Sequence, residues 1–146
     1  PISGAARSHC YISVKKRAEG DPKQAALAAI VTDPNIKHVI VVDDDVDVVN
    51  ETQVLWALAM RFQADRDLVI IPNIIGSHLN PTAYGFNRME KGPMETKLIF
   101  DATKPLPPYH FPKEAQAPDE VLNKIDLARD TRPYEPGRDD KAITGS

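Results

Sequence analysis

The sequence lacks several features that would assign it to a particular class of protein. Its 146 residues include one cysteine, Cys10, so no disulfide bond can form within the chain, and this favours a reducing compartment. No apolar run approaches the ~20 residues that a membrane-spanning helix needs, and no signal peptide is recognisable. We therefore expect a cytoplasmic protein that has no membrane partner.

Features that bind phosphate, nucleic acid or zinc are also missing. Neither glycine-rich pattern that cradles phosphates, GxxxxGK or GxGxxG, occurs in the sequence. The formal net charge of −3 gives no electrostatic reason to expect a nucleic-acid partner. The four histidines show no HExxH-type spacing and the serines no nucleophile elbow, which argues against a zinc enzyme and a serine hydrolase.

What is present is the composition of an ordinary globular domain. Hydrophobic residues make up 42% and charged residues 27% of the chain, and the length suffices for one domain with a buried core. The first residue is Pro1 rather than methionine. We therefore expect the chain to begin inside a longer protein.

The most informative segment joins an apolar run to a cluster of carboxylates. Val39–Val42 is β-branched throughout, which predicts a strand buried on both faces. Four aspartates follow at once: Asp43, Asp44, Asp45 and Asp47. Carboxylates at the end of a buried strand can hold Mg²⁺ or Mn²⁺. They can equally cap the next helix and pair with Lys or Arg, and the residues alone leave both interpretations open.

Hydrophobic periodicity predicts alternating strands and helices. Strands are predicted at Arg7–Lys15, 39–42, Asp67–Pro72 and Thr96–Phe100. A buried helix, apolar nearly all round, is predicted at Lys23–Val31 with Asp21 as N-cap, and a second helix follows the N-cap Asn50. Strand 39–42, the second helix and strand 67–72 have the order of a βαβ unit with parallel strands. We expect an α/β fold with a parallel or mixed sheet based on βαβ units and packing helices.

The C-terminal part of the chain has a different composition. Pro105, Pro107, Pro108 and Pro112 favour an extended arm over a core element. An amphipathic helix is predicted from Pro118, with the apolar face of Val121–Ala128 needing a surface to cover. We divide the chain into an α/β domain at 1–104, a proline-rich arm and helix at 105–130, and a flexible tail at 131–146. The arm is predicted to contact another subunit or domain, which makes a homo-oligomer the expected assembly.

Several ordered motifs resemble the UbiD family of decarboxylases. They are Ser13–Lys16, His38–Val48, Val54–Ala57, Arg61, Asp65–Asp67, Ile71–Pro72, Gly76–Ser77, Leu79, Pro81 and Asp101–Pro105. The resemblance covers residues 3 to about 128, and it is far more specific than any single cluster because many motifs keep their spacing.

The resemblance implies a function that composition alone does not. Family members decarboxylate, or reversibly carboxylate, aromatic and α,β-unsaturated carboxylic acids. They use prenylated FMN with Mn²⁺ and K⁺, held by a domain N-terminal to the part seen here, which also carries the catalytic Arg and two Glu residues. The resemblance therefore implies a C-terminal domain that builds oligomer contacts and closes the substrate pocket. We assign no catalytic residue and no metal ligand, and we expect the isolated chain to be inactive without a tightly bound cofactor.

The resemblance also implies a substrate-binding loop, Ser77, His78 and Leu79. It follows the strand 67–72, and open α/β sheets bind ligands at the carboxyl ends of their strands. The family often reads Gly-Ser/Phe-Pro-Leu-Asp-Pro here, whereas this chain has His78 and Asn80 in place of Pro and Asp. A polar, titratable histidine in the pocket wall favours a hydroxylated or otherwise polar aromatic acid over a plain hydrocarbon one. The expected partners are the chain's own flavin domain or subunit and this small acid.

Two other functions stay open on the residues alone. One is a Mg²⁺- or Mn²⁺-dependent transferase that uses the Asp43–Asp47 segment, and the other is a non-catalytic assembly module. The resemblance favours a structural role for the aspartates. The resemblance implies that these carboxylates cap the second helix and anchor loops near Arg61 or Arg66.

Overall fold

The computed structural model describes residues 7–84 and 92–112 and the single positions 115, 118, 121 and 124. The chain divides into two units, Pro1–Phe111 and Pro112–Ser146, and nearly all described residues belong to the first. The predicted helix Val121–Ala128 lies outside the described residues except at its start, where the Val121 N–H donates to the Pro118 carbonyl at 2.8 Å. The predicted tail, 131–146, lies wholly outside them. Within the described part of the chain no helix is both long and apolar enough to cross a membrane.

The described part of the first unit contains four strands and three α-helices, so the predicted α/β fold class is confirmed. The elements in chain order are β1 (His9–Val14), α1 (Asp21–Thr32), β2 (His38–Asp43), α2 (Glu51–Arg61), α3 (Ala64–Asp67), β3 (Leu68–Ile75), a 3-10 turn (Pro81–Tyr84) and β4 (Met94–Ala102).

The sheet is mixed, with strand order β1-β2-β4-β3. β2 pairs in parallel with both β1 and β4, whereas β3 pairs antiparallel with β4. The parallel βαβ unit is therefore β1-α1-β2, and the prediction of a second one through α2 and β3 is wrong. An apolar run has the same pattern in either direction, so the residues of β3 could not reveal its polarity.

The polarity of β3 decides where the loops lie. Because β3 is antiparallel, its carboxyl end meets the amino ends of the other three strands. The loop that begins at Gly76 therefore lies at the opposite edge of the sheet from Asp43, which ends β2. The two candidate sites of the sequence are thus separated by the length of the strands.

The core has two halves because β2 is covered on both faces. Val39 and Val41 face the α1 side with Ala26, Ile30 and Ile99, and Ile40 and Val42 face the α2 side with Val46, Val54, Ala57 and Ala102. The four apolar residues of β2 are between 0% and 5% exposed. This confirms the predicted strand buried on both faces.

The helices differ from prediction in their details. The N-cap of α1 is Gly20, and Asp21 is the first helical residue, whose carboxylate accepts the Arg17 N–H at 2.9 Å. Only one face of α1 is buried, since Val31 is 79% exposed. The prediction that the helix is buried all round is wrong, because small apolar residues permit close packing but do not require it on every side. The Asn50 cap is confirmed, with its side chain accepting the N–H of Gln53 at 3.4 Å.

β3 and β4 are both longer than predicted and differ in their place in the sheet. β3 is a half-exposed edge strand, longer than predicted, with an irregular register between Ile71 and Ile74. Pro72 has no N–H to donate and Asn73 has a φ of 57°, and an edge strand tolerates both. β4 is longer than the predicted 96–100 and lies inside the sheet, where Ile99 is fully buried.

Candidate functional site

A cavity of about 550 Å³ lies at the amino ends of β1, β2 and β4. Its lining residues are Arg7, Ser8, His9, Asn35, Lys37, His38, Ser77, Leu79, Asn80, Pro81 and Glu95. Two of the three predicted substrate-binding residues, Ser77 and Leu79, therefore share this cavity. His78, between them, is exposed and does not line it. The antiparallel course of β3 places the loop here, and not at the carboxyl ends of parallel strands as predicted.

Hydrogen bonds close to the loop, and within it, fix the conformation of the segment that carries these residues. The Gly76 N–H donates to the Pro93 carbonyl at 2.9 Å, and the Asn80 N–H donates to the Ser77 carbonyl at 3.0 Å. The Ser77 hydroxyl oxygen accepts the Leu79 N–H at 3.2 Å. Ser77 is buried at 8% exposure while the Leu79 side chain is left 90% exposed. The loop thus offers an apolar side chain on a braced turn.

The Asn80 side chain joins the loop to β4. Its Nδ2 donates to a carboxylate oxygen of Glu95. Its Oδ1 accepts from the Thr82 N–H at 3.1 Å and from the Thr82 hydroxyl at 2.8 Å. Both polar atoms of the Asn80 amide, Oδ1 and Nδ2, therefore have hydrogen-bond partners within the protein.

Glu95 in turn forms a buried ion pair with Lys97. The two side chains are 3% and 0% exposed and their charged atoms lie 3.0 Å apart. The Lys97 ammonium also donates to the carbonyls of Pro34, at 2.7 Å, and Ile36. Three acceptors satisfy the three ammonium donors, so the Glu95 charge inside the cavity wall is already neutralised.

The remaining charges give the cavity a positive lining. Arg7 and Lys37 are the other formally charged residues among those that line it. Lys37 donates to the Thr82 hydroxyl at 3.3 Å, so its ammonium is held at the mouth. With Glu95 paired to Lys97, the two formal charges left among the lining residues are both positive.

Two histidines separate this cavity from a second one. His9 and His38 are register partners on β1 and β2, with ring nitrogens 3.5 Å apart. Burial lowers the pKa of His38, and the neighbouring His9 and Lys37 lower it further. His38 is therefore neutral near pH 7 and can donate or accept a hydrogen bond from the wall.

The second cavity, of about 490 Å³, lies on the α2 side of the sheet and is mostly apolar. Its lining residues are His9, Tyr11, His38, Ile40, Glu51, Leu55, Leu58 and Phe100. The Tyr11 hydroxyl donates to Glu51 at 2.7 Å. Burial and this carboxylate raise the pKa of Tyr11 to about 12, so the phenol stays protonated.

The acidic cluster at the other edge of the sheet is occupied by cations. Arg61 lies 3.1 Å from Asp43 and 2.9 Å from Asp45, and Lys104 pairs with Asp45. The Lys104 N–H also donates to Asp43 at 2.8 Å. The predicted anchoring of loops through Arg61 is therefore confirmed, whereas Arg66 pairs with Asp67 instead.

The aspartates do not behave as a metal site. Burial raises the pKa of Asp43, against the opposing effect of the Lys104 N–H and Arg61. Burial also acts on Asp45, but hydrogen bonds from Arg61 and Lys104 outweigh it and lower the pKa. Among the described residues no group of three or more His, Cys, Asp or Glu side chains could hold a metal ion. The predicted capping of α2 by these aspartates is wrong, because Asn50 caps it.

Sequence reasoning missed Glu95 and Lys97. Their spacing of two residues in a strand places both side chains on one face, and two opposite charges at that spacing in one strand were the available sign of the pair. It also missed Arg7 and Lys37, because nothing local indicates that their strands start at one cavity. We expected no metal ligand in this chain, and that stays a prediction.

Comparison with known proteins agrees with the geometry. Residues 1–102 match the family described as 3-octaprenyl-4-hydroxybenzoate carboxy-lyase C-terminal domain. An anhydromevalonate phosphate decarboxylase from Aeropyrum pernix is 51% identical over 98 residues, which are 67% of this chain and 21% of that protein. A phenolic acid decarboxylase from Sedimentibacter hydroxybenzoicus is 41% identical over 108 residues, 72% of this chain and 21% of that protein. The chain thus spans about a fifth of the length of these relatives.

Solved structures show the same fold in much longer chains. The UbiD-class enzyme HmfF from Pelotomaculum thermopropionicum, in complex with FMN, is 35% identical with a TM-score of 0.67 over 86% of this chain and 26% of its own. The 3,4-dihydroxybenzoic acid decarboxylase AroY from Klebsiella pneumoniae is 33% identical with a TM-score of 0.59 over 76% of this chain and 25% of its own. The chain belongs to the UbiD family, in which it matches the C-terminal domain.

Proposed function

We propose that this chain is the substrate-side C-terminal domain of a UbiD-like, non-oxidative decarboxylase or carboxylase. Its substrate is an aromatic or α,β-unsaturated carboxylic acid, and the catalytic flavin domain belongs to another part of the full-length protein. The observation that carries the proposal is the cavity at the amino ends of β1, β2 and β4, into which the family's substrate loop brings Ser77 and Leu79. The decarboxylase relatives support the reaction type.

The described residues do not fit a flavin or metal site of their own. They include no metal-ligand cluster, and the carboxylates of Asp43 and Asp45 are already paired with Arg61 and Lys104. We therefore propose that prenylated FMN, with Mn²⁺ and K⁺, is held by the flavin domain. In this proposal the present chain orients the acid and excludes water, while the flavin domain carries the groups that catalyse the reaction.

Within the loop the three side chains have different tasks. Leu79 offers apolar contact to the hydrocarbon part of the substrate, and Ser77 lies at the buried base of the wall. His78, exposed on this domain, is proposed to meet a polar substituent of the substrate in the complete protein. A site built around such a hydrogen bond discriminates strongly against analogues that lack the substituent.

The role of Leu79 can be tested in the full-length protein. Leu79→Glu should lower kcat/KM at least tenfold, because it places a charge against the apolar part of the substrate. Its effect on thermal stability should be small, since Leu79 is 90% exposed in this domain. Val49→Glu is the matched control, being 89% exposed in the loop that follows β2 at the other edge of the sheet. Equal kcat/KM values for the two variants would assign this loop no contact with the substrate.

A specific observation favours a phosphorylated unsaturated acid over an aromatic one. Arg7 and Lys37 are the cationic residues of the cavity lining, and the carboxylate of the acidic lining residue, Glu95, is already paired with Lys97. Five anhydromevalonate phosphate decarboxylases are 36–51% identical, while the phenolic acid decarboxylase of Sedimentibacter hydroxybenzoicus is 41% and the gallate decarboxylase of Lactiplantibacillus plantarum 32% identical. A phosphate group at the end of the substrate away from the reacting carboxylate would bind both Arg7 and Lys37.

Replacing Lys37 tests this substrate class. Hydrogen bonds to charged groups contribute about 1.5–3 kcal/mol, so Lys37→Gln should lower kcat/KM for a phosphorylated unsaturated acid by roughly tenfold or more. The value for the same acid without phosphate should change by less than about twofold. Lys15→Gln, an exposed lysine just after β1 at the other edge of the sheet, is the control. A uniform loss for both acids would count against phosphate recognition and leave the decarboxylase proposal standing.

The two alternative functions make different predictions. A transferase that holds Mg²⁺ at the aspartates has little support, since Arg61 and Lys104 occupy the carboxylates. A pure assembly module would tolerate Leu79→Glu without loss of turnover. The homo-oligomer expected through the arm involves residues mostly outside those described, so it stays a prediction.

A further inference from the structure

The approach of the substrate loop to β4 depends on one residue of β4. A Cβ atom added at Gly76 would lie 2.7 Å from Cγ and 2.8 Å from Cδ of Glu95. No ordinary side chain fits at such distances, so the loop can lie against Glu95 only because position 76 is glycine. Four residues later the same carboxylate accepts a hydrogen bond from Asn80. Glu95 therefore contacts the loop at both ends.

The chemistry of these contacts requires an amide at position 80. The Thr82 N–H can only donate, and it points to Oδ1 of Asn80 at 3.1 Å, which directs Nδ2 of Asn80 towards Glu95. Glu95 is ionised beside Lys97, and an ionised carboxylate only accepts hydrogen bonds. Thr82 donates to Oδ1 of Asn80, and Nδ2 of Asn80 donates to Glu95. Only an amide can accept from the one and donate to the other, since Asp would place two carboxylates against each other.

The same network reaches the opposite wall of the cavity. The Lys97 ammonium that pairs with Glu95 is held by the carbonyls of Pro34 and Ile36. The next residue, Lys37, donates from its side chain back to Thr82. The two walls are therefore tied together through the buried Glu95, and a shift of this carboxylate moves both.

We propose that Glu95 and Asn80 are a matched positioning pair that sets the width of the substrate cavity and the presentation of Leu79. The pair acts through the loop and does not touch the reacting atoms. This rests on the proposed function, because it assigns the pair to the cavity proposed to receive the acid. It also explains why the frequent family residue at position 80, Asp, is absent here: beside an ionised Glu95 it could not donate.

Exchanging the two groups tests the pair. In the full-length protein Asn80→Asp and Glu95→Gln should each lower kcat/KM at least tenfold. The double variant Asn80→Asp/Glu95→Gln restores one amide and one carboxylate in reversed order, keeps a negative charge near Lys97, and should recover activity to within about threefold of the original protein. A structural role alone would change melting temperatures without this reciprocal recovery of kcat/KM in folded protein. The proposed pair would be contradicted if both single variants kept the original kcat/KM. It would also be contradicted if the kcat/KM of the double variant were no higher than that of the less active single variant.

A second measurement separates this inference from the proposed function. In the 146-residue chain, amide hydrogen exchange at Leu79, Asn80 and Thr82 should accelerate at least tenfold in Asn80→Asp and return towards the original rate in the double variant. Exchange in β1, away from the loop, serves as the internal control. If the full-length protein shows no decarboxylase activity while hydrogen exchange follows this pattern, the proposed function is wrong but the structural link between Glu95 and Asn80 is supported. Unchanged exchange in Asn80→Asp would contradict the pair whatever the activity.

Discussion

Replacing Lys97 with methionine is expected to destabilise the domain by about 3–5 kcal/mol, the penalty typical of removing one partner from a buried ion pair. The Lys97 side chain is fully buried and its ammonium satisfies Glu95 and two backbone carbonyls. Methionine keeps most of the volume of the side chain but none of the donors. The buried carboxylate of Glu95 would then have no cation, and the carbonyls of Pro34 and Ile36 would lose their partner.

Thermal or denaturant unfolding of the 146-residue chain measures this effect. For a chain close to 150 residues each kcal/mol shifts the melting temperature by about 2–4 °C, so a fall of more than about 6 °C is expected. Adding Glu95→Gln to Lys97→Met should recover part of the loss, because a neutral amide costs less to bury than an unpaired carboxylate. Lys15→Met, at an exposed lysine, is the control. A loss below about 1 kcal/mol would show that the pair contributes no more than a surface contact.

Replacing Arg61 with methionine should have the second largest effect, about 3 kcal/mol. The Arg61 side chain is 4% exposed and holds Asp43 and Asp45 at the end of β2. The effect belongs at the lower end of the range for buried pairs, because Asp45 is 44% exposed and keeps Lys104 as a partner. Arg66→Met is a well-matched control, since Arg66 pairs with Asp67 but is 67% exposed.

A double-mutant cycle and a pH series show whether charge is the cause. Asp43→Asn should be less harmful in the Arg61→Met background than alone, with a coupling energy of about 0.5–3 kcal/mol. Burial already raises the pKa of Asp43, and without Arg61 its folded-state pKa should rise further above the unfolded value. Such a group destabilises the fold above its folded pKa and not below its unfolded pKa. The deficit of Arg61→Met should therefore shrink as the pH falls from 7 to 4, and a constant deficit would indicate lost packing.

Much of the fold could be predicted because the information is local. The β-branched run 39–42 needs burial on both faces whatever surrounds it, and the Asn50 cap depends on its own segment and Gln53. The motifs that identified the family are likewise local strings. The structural role of the aspartates was predictable only in part, since Arg61 was foreseen as a partner and Lys104 was not.

The candidate site shows where local information stops. The loop Ser77–Leu79 was selected from its residues, and the structure places two of its members at the cavity. The reason given for its location was wrong, because β3 runs antiparallel to β4. A strand's direction depends on which neighbour it pairs with, and that pairing is a property of the whole sheet. His78 remains a prediction for the complete protein.

The sequence by itself determined the four strands and the two longer helices, which strand is buried on both faces, and the family to which the chain belongs. Those properties follow from side-chain periodicity, capping and ordered motifs, which act over a few residues. Only the tertiary structure decided that Ser77, Leu79, Lys37 and Glu95 line one cavity, far from the aspartates. The physical reason is that charge pairing and cavity shape depend on residues that are distant in the chain and are brought together by strand order and polarity.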